Sequence, residues 1–249
     1  MRNVPASALL LRTRAREAIT YLQFLHVAVD INATITVTSP AHHQSVSVSR
    51  ELTHTLKANL YLLLYSAMEA TLVQLFDEIH EAVKTHSISV DALHQELFLH
   101  VTREFKRSTT DVAQNTVVAP IGIAVMQLWS KQWQDKSSAK DKRTGLISGN
   151  VDGLAIHQHL RRYGVVGGDI DKPHPKLTHR ALKKAKDRRN ILAHGEFGFA
   201  DLGRNFSIQE LTQDARDVFR TLIQITRRVD KYLNAQGYLK TSSWDCVQQ

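Results

Sequence analysis

The sequence predicts an all-α fold, an antiparallel helical bundle with one or two short accessory β-hairpins. Glycine (11) and proline (5) are scarce among the 249 residues, so few turns are signalled and long helices are favoured over a many-stranded sheet. Most of the chain places apolar residues at helical spacing, and strict alternation occurs only in short stretches. We expect a single domain over residues 1–249, with its core at about residues 50–240.

The N-terminal segment is predicted to contain a helix followed by a hairpin. The helix is expected over about residues 5–30, and residues 34–38 and 45–49 then alternate strictly around a turn at residues 39–41. A two-stranded hairpin is marginal alone, so we expect it to lean on the helices. The apolar positions expected on the first helix are Leu9, Leu10, Ala15, Ile19, Leu22 and Val29.

A long helix is predicted over about residues 50–85. Its middle is apolar almost all round, which is typical of a central and buried helix. Two shorter helical stretches are expected at about residues 90–105 and 121–133. The polar and basic residues 134–145 then predict an exposed loop.

Two further helices are predicted after this loop. Asn150 is expected to cap the first of them, with Asp152 in its first turn and Gly164 as its C-terminal stop. The second is a basic helix over about residues 177–193.

The C-terminal segment is predicted to contain a second short hairpin at residues 197–207 and a last long helix at about residues 208–235. One apolar stripe runs along this helix, formed by Leu211, Ala215, Val218, Leu222, Ile225, Val229 and Tyr232.

Composition limits the compartment and the cofactors that we expect. The lone cysteine, Cys246, cannot form an internal disulfide or a Cys-rich zinc site, so the cytoplasm is the expected location. The longest dense apolar run, residues 60–65, is far shorter than a membrane span, so no membrane association is expected. His157 and His159 point to different faces of a helix, and the loop histidines lack acidic or cysteine neighbours. We therefore expect no metal and no other cofactor.

The positive charge is concentrated in one window. The formal net charge is +8, and residues 172–189 hold eight basic residues against one acid, which leaves +7 in this window. Such a surface would gather phosphate backbones, and Lys183, Lys186 and Arg188 are the candidate substrate-binding residues. The alternative is an ordinary solvated helix face.

Arg189, Asn190 and His194 form the pattern R-N-x3-H at the end of the basic helix, and Gly195 follows as a stop signal. A guanidinium binds phosphate in a fixed fork, and an imidazole can move a proton near neutral pH. Together they suffice to cleave RNA through its 2′-OH without a metal, whereas DNA should resist. We assign His194 to proton transfer and Arg189 to phosphate stabilisation. Asn190 is assigned to holding a phosphate oxygen or orienting the imidazole.

Helical geometry raises two questions about this motif. Arg189 falls on the apolar stripe of its helix, so either its stem packs while its head reaches water, or this face opens onto an active site or a subunit interface. On an ideal helix His194 lies about 140° from Arg189. The two side chains converge only if the helix ends near Ala193 and His194 swings off the last turn. The rest of the stripe comprises Ala181, Leu182, Ala185, Leu192 and Ala193.

Three blocks of the sequence, in order, resemble the prokaryotic MAE-like branch of the HEPN superfamily. Residues 59–70 resemble its long helix, residues 148–152 with Tyr163 and Gly164 resemble its middle motif, and residues 189–196 resemble its catalytic helix end. The resemblance implies a helical bundle, a homodimer whose cleft brings two R-x4-H sets together, and metal-independent ribonuclease activity. Members commonly occur in toxin–antitoxin, restriction or antiviral systems. The hairpin at residues 34–49 has no counterpart in this resemblance.

The sequence therefore predicts a HEPN-type endoribonuclease, acting as a toxin or an antiviral defence effector. The expected partners are RNA, a second copy of the chain, and a cognate antitoxin or another protein of a defence operon. The alternative is a non-catalytic HEPN module that uses the same basic face to bind RNA, a nucleotide or a partner protein. Glu69 lies in the apolar middle of the long helix, and we expect it to support the site by pairing with Arg189. A partly exposed Glu69, or one that pairs with another cation, is the alternative.

Overall fold

The computed structural model describes residues 4–29, 33–39, 42–86, 88, 92–99, 151–165 and 178–240. The fold is all-α, as predicted, with an antiparallel hairpin after the first helix. The helix expected at residues 121–133, the loop at residues 134–145 and Cys246 lie outside the described residues. The helices are α1 (Ala6–Ala28), α2 (Arg50–Thr85), α3 (Gly153–Arg162), α4 (Thr178–Ala193), α5 (Phe199–Gly203) and α6 (Ile208–Asn234), and the strands are β1 (Thr34–Ser39) and β2 (His42–Ser47). Residues 95–99 are also helical, within the stretch where a helix was expected at about residues 90–105.

Helix α2 lies at the centre of the described structure, as its apolar middle predicts. It packs against α1, α4, α5 and α6. Helix α1 runs antiparallel to it, because Ser7 and Tyr21, near the two ends of the contact, reach opposite ends of α2. The backbone N–H and hydroxyl of Ser7 donate to the Glu78 carboxylate at 2.6 and 2.8 Å, and the Tyr21 hydroxyl donates to the Leu56 carbonyl at 2.6 Å.

The buried face of α1 differs from the predicted one. Leu9, Ile19 and Val29 were among the apolar positions expected on this helix, but all three are exposed. Helix α1 carries apolar residues on two sides, and its hydrogen bonds to α2 through Ser7 and Tyr21 fix its rotation. The buried residues are Ser7, Leu11, Ala18, Leu22, Leu25 and Ala28.

The hairpin at residues 34–49 forms as predicted, with β1 and β2 paired antiparallel and Ile35 directly opposite Val46. Strand β2 ends at Ser47, two residues before the expected end. Its packing differs from the prediction, since Ile35 and Val46 are exposed instead of leaning on the helices.

Helix α3 begins later than Asn150 would have placed it. Its N-cap is Asp152, whose carboxylate accepts a hydrogen bond from the Ala155 N–H at 2.9 Å. Gly164 ends the helix as predicted, with a φ of +75°, because the left-handed conformation turns the chain so that the Val165 N–H reaches the Leu160 carbonyl at 3.0 Å. Of the family-like middle motif, Val151 and Asp152 are therefore placed at the start of α3, and Tyr163 and Gly164 at its end.

The second predicted hairpin is wrong, because residues 199–203 form the short helix α5. This helix depends on a tertiary contact that a local pattern does not reveal. A Cβ added at Gly203 would lie 1.8 Å from the His54 carbonyl oxygen, so the backbones of α5 and α2 touch there. Leu202 and Phe206, on the same segment, are buried.

Helix α6 is confirmed, and its whole predicted stripe is buried. It begins with a capping box in which Ser207 and Glu210 satisfy each other's backbone N–H. Helix α4 packs against it in the antiparallel direction, since Lys184 reaches Asp214 and Arg188, one turn later, reaches Phe206. No helix of the described residues is long and apolar enough to cross a membrane.

Candidate active site

The motif Arg189, Asn190 and His194 lies on the last turn and a half of α4. The helix closes with a Schellman motif: the Gly195 N–H bonds the Leu192 carbonyl at 3.3 Å, and the Glu196 N–H bonds the Ile191 carbonyl at 3.1 Å. Gly195 has a φ of +70°, which only glycine adopts readily. The helix end is therefore fixed by backbone hydrogen bonds, with His194 exposed at its C-cap position.

Arg189 lies half-buried over the ring of Tyr65 in α2. The centre of its guanidinium is 4.7 Å from the ring centroid, which is a cation–π contact. Its Nη1 also donates to the Asn190 side-chain oxygen at 3.0 Å. The aromatic ring explains how a guanidinium can occupy a core-facing stripe, since its stem packs while its charge is held by the π face.

Tyr65 is the residue on which the three family-like blocks converge. Its hydroxyl accepts a hydrogen bond from the Val151 N–H at 3.1 Å, and its ring supports Arg189. Burial raises the pKa of Tyr65 to about 12, with a further rise from the nearby Glu69 carboxylate and opposing effects from Val151 and Arg189. The phenol therefore stays protonated at neutral pH.

Glu69 and Arg189 meet at Tyr65. The ion pairs resolved among the described residues do not include one between these two side chains. The Glu69 carboxylate instead raises the pKa of the hydroxyl of the same tyrosine whose ring carries Arg189. The two side chains thus both act on Tyr65 and do not form an ion pair with each other.

His194 remains in register with the helix. Its N–H donates to the Asn190 carbonyl at 2.9 Å, so the backbone is helical up to His194. The backbone therefore does not make the expected departure from the last helical turn. Asn190 and His194 are four residues apart and so lie on neighbouring positions of one helix face. Asn190 also contacts Arg189, which on an ideal helix lies about 140° away from His194.

The candidate substrate-binding cations are largely engaged within the chain. Lys183 is exposed and pairs with Asp187 at 2.5 Å, whereas the Lys186 side chain is only 16% exposed and pairs with Asp152 at 2.7 Å. The centre of the Arg188 guanidinium lies 5.2 Å from the Phe206 ring centroid. Lys172 and Lys176 of the basic window lie outside the described residues. These contacts leave the described part of the basic window with less positive charge available to a ligand than the sequence count indicates. Lys186 instead holds α4 against α3.

Asp152 and Lys186 each stabilise the charged form of the other. Burial alone would raise the pKa of Asp152, but hydrogen bonds from Lys186 and from the Ala155 N–H outweigh it and hold this pKa below its usual value. The same carboxylate raises the pKa of Lys186. Both groups are charged at neutral pH, so the start of α3 is held against α4.

A second polar contact that fixes α4 was not recognised from the sequence. Asp214 of α6 accepts from the Tyr61 hydroxyl at 2.6 Å and pairs with Lys184 at 2.7 Å. Burial raises the pKa of Tyr61, and the hydrogen bond to Asp214 adds to the rise. The available signal was the position of Tyr61 in an apolar helix, because a buried tyrosine hydroxyl normally needs a partner.

No group of three or more histidine, cysteine or acidic side chains able to hold a metal ion occurs among the described residues.

One family model matches most of the chain. It is described as HEPN_MAE_28990-like HEPN and matches residues 26–238, which includes the β1–β2 hairpin and the three blocks that meet around Tyr65. No curated protein and no solved structure matches the chain significantly. The chain belongs to the HEPN superfamily, in its MAE-like branch.

Proposed function

We propose that this protein is a metal-independent endoribonuclease whose active site is formed by Arg189, Asn190 and His194. The observation that carries the proposal is the placement of Arg189. Its guanidinium lies on the Tyr65 ring and bonds Asn190, which itself lies about one helical turn before the exposed His194. A fixed cation and an accessible imidazole at one helix end are the two groups that this reaction needs.

The reaction uses a nucleophile that the substrate supplies. A base removes the proton of the ribose 2′-OH, the 2′ oxygen bonds the adjacent phosphorus, and the bond to the 5′ oxygen breaks as that oxygen takes up a proton. The products are a 2′,3′-cyclic phosphate and a 5′-hydroxyl end. We assign proton transfer to His194, charge stabilisation on the phosphate to Arg189, and a phosphate-oxygen contact or orientation of the imidazole to Asn190.

The remaining residues support these three. Tyr65 positions Arg189, and the Glu69 carboxylate lies close enough to Tyr65 to raise its pKa. Lys183 lies on the exposed side of α4 and is suited to a phosphate farther along the strand. Lys186 is better explained as a structural residue, because its ammonium is held by Asp152.

We further propose that the active form is a homodimer. One chain supplies one set of Arg189, Asn190 and His194, and the end of α4 at Ala193 to Gly195 is exposed. Two copies that pack these ends across a two-fold axis would use the same patch on both subunits and would place two sets in one cleft. Membership of the HEPN superfamily supports a role as a toxin or defence effector in the cytoplasm, held in check by a cognate antitoxin or another operon protein.

The reaction is tested by the chemistry of its products. Purified protein in EDTA should cut single-stranded RNA to give 2′,3′-cyclic phosphate and 5′-hydroxyl ends. An oligonucleotide with a single ribose among deoxyriboses should be cut only after that ribose. A product with a 5′-phosphate, or cleavage after a deoxyribose, would contradict the proposed route.

The rival function is a non-catalytic module that binds RNA through the basic face. It requires free cations, and the pairing of Lys186 with Asp152 counts against a large cationic surface. The variants Lys183→Glu and Lys186→Glu distinguish a lysine that binds RNA from a lysine that stabilises the fold. We expect the first to weaken RNA binding with little change in stability, since an exposed pair is worth at most about 1 kcal/mol. We expect the second to destabilise the fold, because it sets two carboxylates against each other. Salt-dependent binding without cleavage, unchanged in His194→Ala, would favour the rival.

A further inference from the structure

Phe197 is an exposed aromatic side chain three residues after His194. Its side chain and backbone together are 55% exposed, although a phenyl ring gains from leaving water. Among the large apolar residues described as exposed, Phe24 on α1 is the other phenylalanine, at 43%. The position of Phe197, directly after the candidate catalytic helix end, distinguishes it from an ordinary surface residue.

The backbone around Phe197 is held on both sides. Before it, the Schellman motif fixes Gly195 and Glu196 through two hydrogen bonds to α4. After it, Gly198 is the N-cap of α5, and α5 is fastened to α2 by the close backbone contact at Gly203. The Phe197 ring therefore belongs to a short segment whose two ends are held by α4 and α5.

Phe197 lies in a segment of the chain that is exposed to solvent. The residues from Ala193 to Gly198 are all exposed, and a Cβ added at Gly195 would meet nothing within 4 Å. The neighbours Glu196 and His194 are polar, so Phe197 is not part of a contiguous apolar patch in this segment. A protein interface is centred on such a patch, whereas a nucleobase needs only one flat aromatic surface.

We propose that Phe197 is a stacking platform for a nucleobase of single-stranded RNA, next to the phosphate that Arg189 and His194 act on. This inference rests on the proposed ribonuclease function and specifies how the substrate is held. Stacking would fix one base beside the scissile phosphate without reading its identity, because every base has a π face. The ring thus serves as a binding residue for unpaired RNA, and a duplex, whose bases are already stacked, should bind less well.

The test measures RNA binding in a His194→Ala background, where the RNA should stay intact. A short single-stranded RNA with a fluorescent label would be titrated against Phe197→Ala, Phe197→Tyr and, as a matched control, Phe24→Ala. We expect Phe197→Ala to weaken binding about 5- to 100-fold, which is the range for loss of one stacked base. Phe197→Tyr should bind within about twofold of the parent because it keeps the ring, and Phe24→Ala should not change binding.

A second arm identifies the contact as stacking. RNAs carrying one abasic residue at successive positions should include one that binds the parent and Phe197→Ala equally. Equal binding of intact RNA by Phe197→Ala and Phe24→Ala would overturn the inference, as would failure of tyrosine to substitute. A shift of Phe197→Ala to a lower mass in light scattering, with RNA binding per chain unchanged, would instead assign the ring to a subunit contact and overturn it.

The failure of this inference is separable from failure of the proposed function. If the unsubstituted protein cleaves RNA and Phe197→Ala binds it normally, only the stacking platform is removed. If the unsubstituted protein neither binds nor cleaves RNA, the ribonuclease proposal fails and the inference fails with it.

Discussion

At the scale of single residues, Tyr65 makes two different contacts beside the candidate site. Its ring carries the Arg189 guanidinium, while its hydroxyl holds the Val151 backbone. These are two separable contributions, one electrostatic and one of buried hydrogen bonding. The ring holds the cation that the proposed chemistry needs, and the hydroxyl holds the neighbouring elements together.

Substitutions at Tyr65 should separate these contributions. Tyr65→Phe keeps the ring but leaves the buried Val151 N–H without its partner, so it should cost about 1–3 kcal/mol in the free energy of unfolding while RNA cleavage persists. Tyr65→Leu should also lower the cleavage rate, because Arg189 loses its support. Urea denaturation and single-turnover cleavage measure the two effects. Equal cleavage rates in the phenylalanine and leucine variants would contradict this role.

Single residues also show which contacts cannot be predicted from the sequence. R-N-x3-H identifies Arg189, Asn190 and His194 from local spacing alone. Lys186 was assigned to substrate binding because its partner Asp152 lies 34 residues earlier in the chain, and spacing does not reveal that contact. Tyr65 belonged to a recognised block, but its contact with Arg189 exists only once α2 and α4 are packed.

At the scale of helices, the ends of α4 and α5 depend on two glycines for different reasons. Gly195 is required by its backbone conformation, since its φ is +70° and space is open around it. Gly203 is required by contact, since an added Cβ would lie 1.8 Å from the His54 carbonyl oxygen. One glycine ends the candidate catalytic helix, and the other docks the next helix onto α2.

Alanine at these glycines should therefore have unequal effects. Gly195→Ala should cost about 1–2 kcal/mol, which is the usual strain of a left-handed conformation for a residue with a Cβ. Gly203→Ala should cost more, because two backbones must separate and the contact of α5 with α2 is lost. Chemical denaturation of both variants measures the difference. A Gly203→Ala protein as stable as Gly195→Ala would show that the close approach is not required.

Helix α3 should make the stability of the protein depend on pH. Burial lowers the pKa of His159 below its ordinary value of 6.5, and Arg162 adds to the effect. The unfolded chain then binds a proton more readily than the folded one, so this contribution is present above the unfolded pKa and is lost as the pH falls through the folded pKa. His159→Gln should flatten the stability curve as the pH falls below about 6.5, measured by urea denaturation. The exposed His26→Gln is the control, and parallel curves for His159→Gln and the parent would contradict the assignment.

The helices also show which local patterns were sufficient. Helix α6 has one apolar stripe and a capping box, and its bounds and buried face follow from them. Helix α1 has apolar residues on two sides, so contacts with α2 decide which side is buried. Helix α5 was mistaken for a hairpin because the backbone contact at Gly203 is absent from any local pattern.

At the scale of the whole molecule, the proposed dimer explains why a cation and an imidazole are placed at an exposed helix end. Ala193 is exposed in the single chain, so a larger side chain there should not disturb the fold. Ala193→Trp should weaken the dimer and lower cleavage together. Light scattering and the unfolding midpoint measure assembly and fold separately. A fully active monomer of the parent protein would contradict the proposed dimer.

If Arg189 and His194 act as proposed, the protein cleaves RNA without a metal. The rate of single-stranded RNA cleavage should be measured in EDTA for the unsubstituted protein and for His194→Ala. We expect cleavage by the former and a rate lower by about 100-fold or more in the latter, which is the usual contribution of one proton-transfer group. Activity that appears only with a divalent metal, or that survives in the double variant Arg189→Ala and His194→Ala, would contradict the proposed roles of both residues.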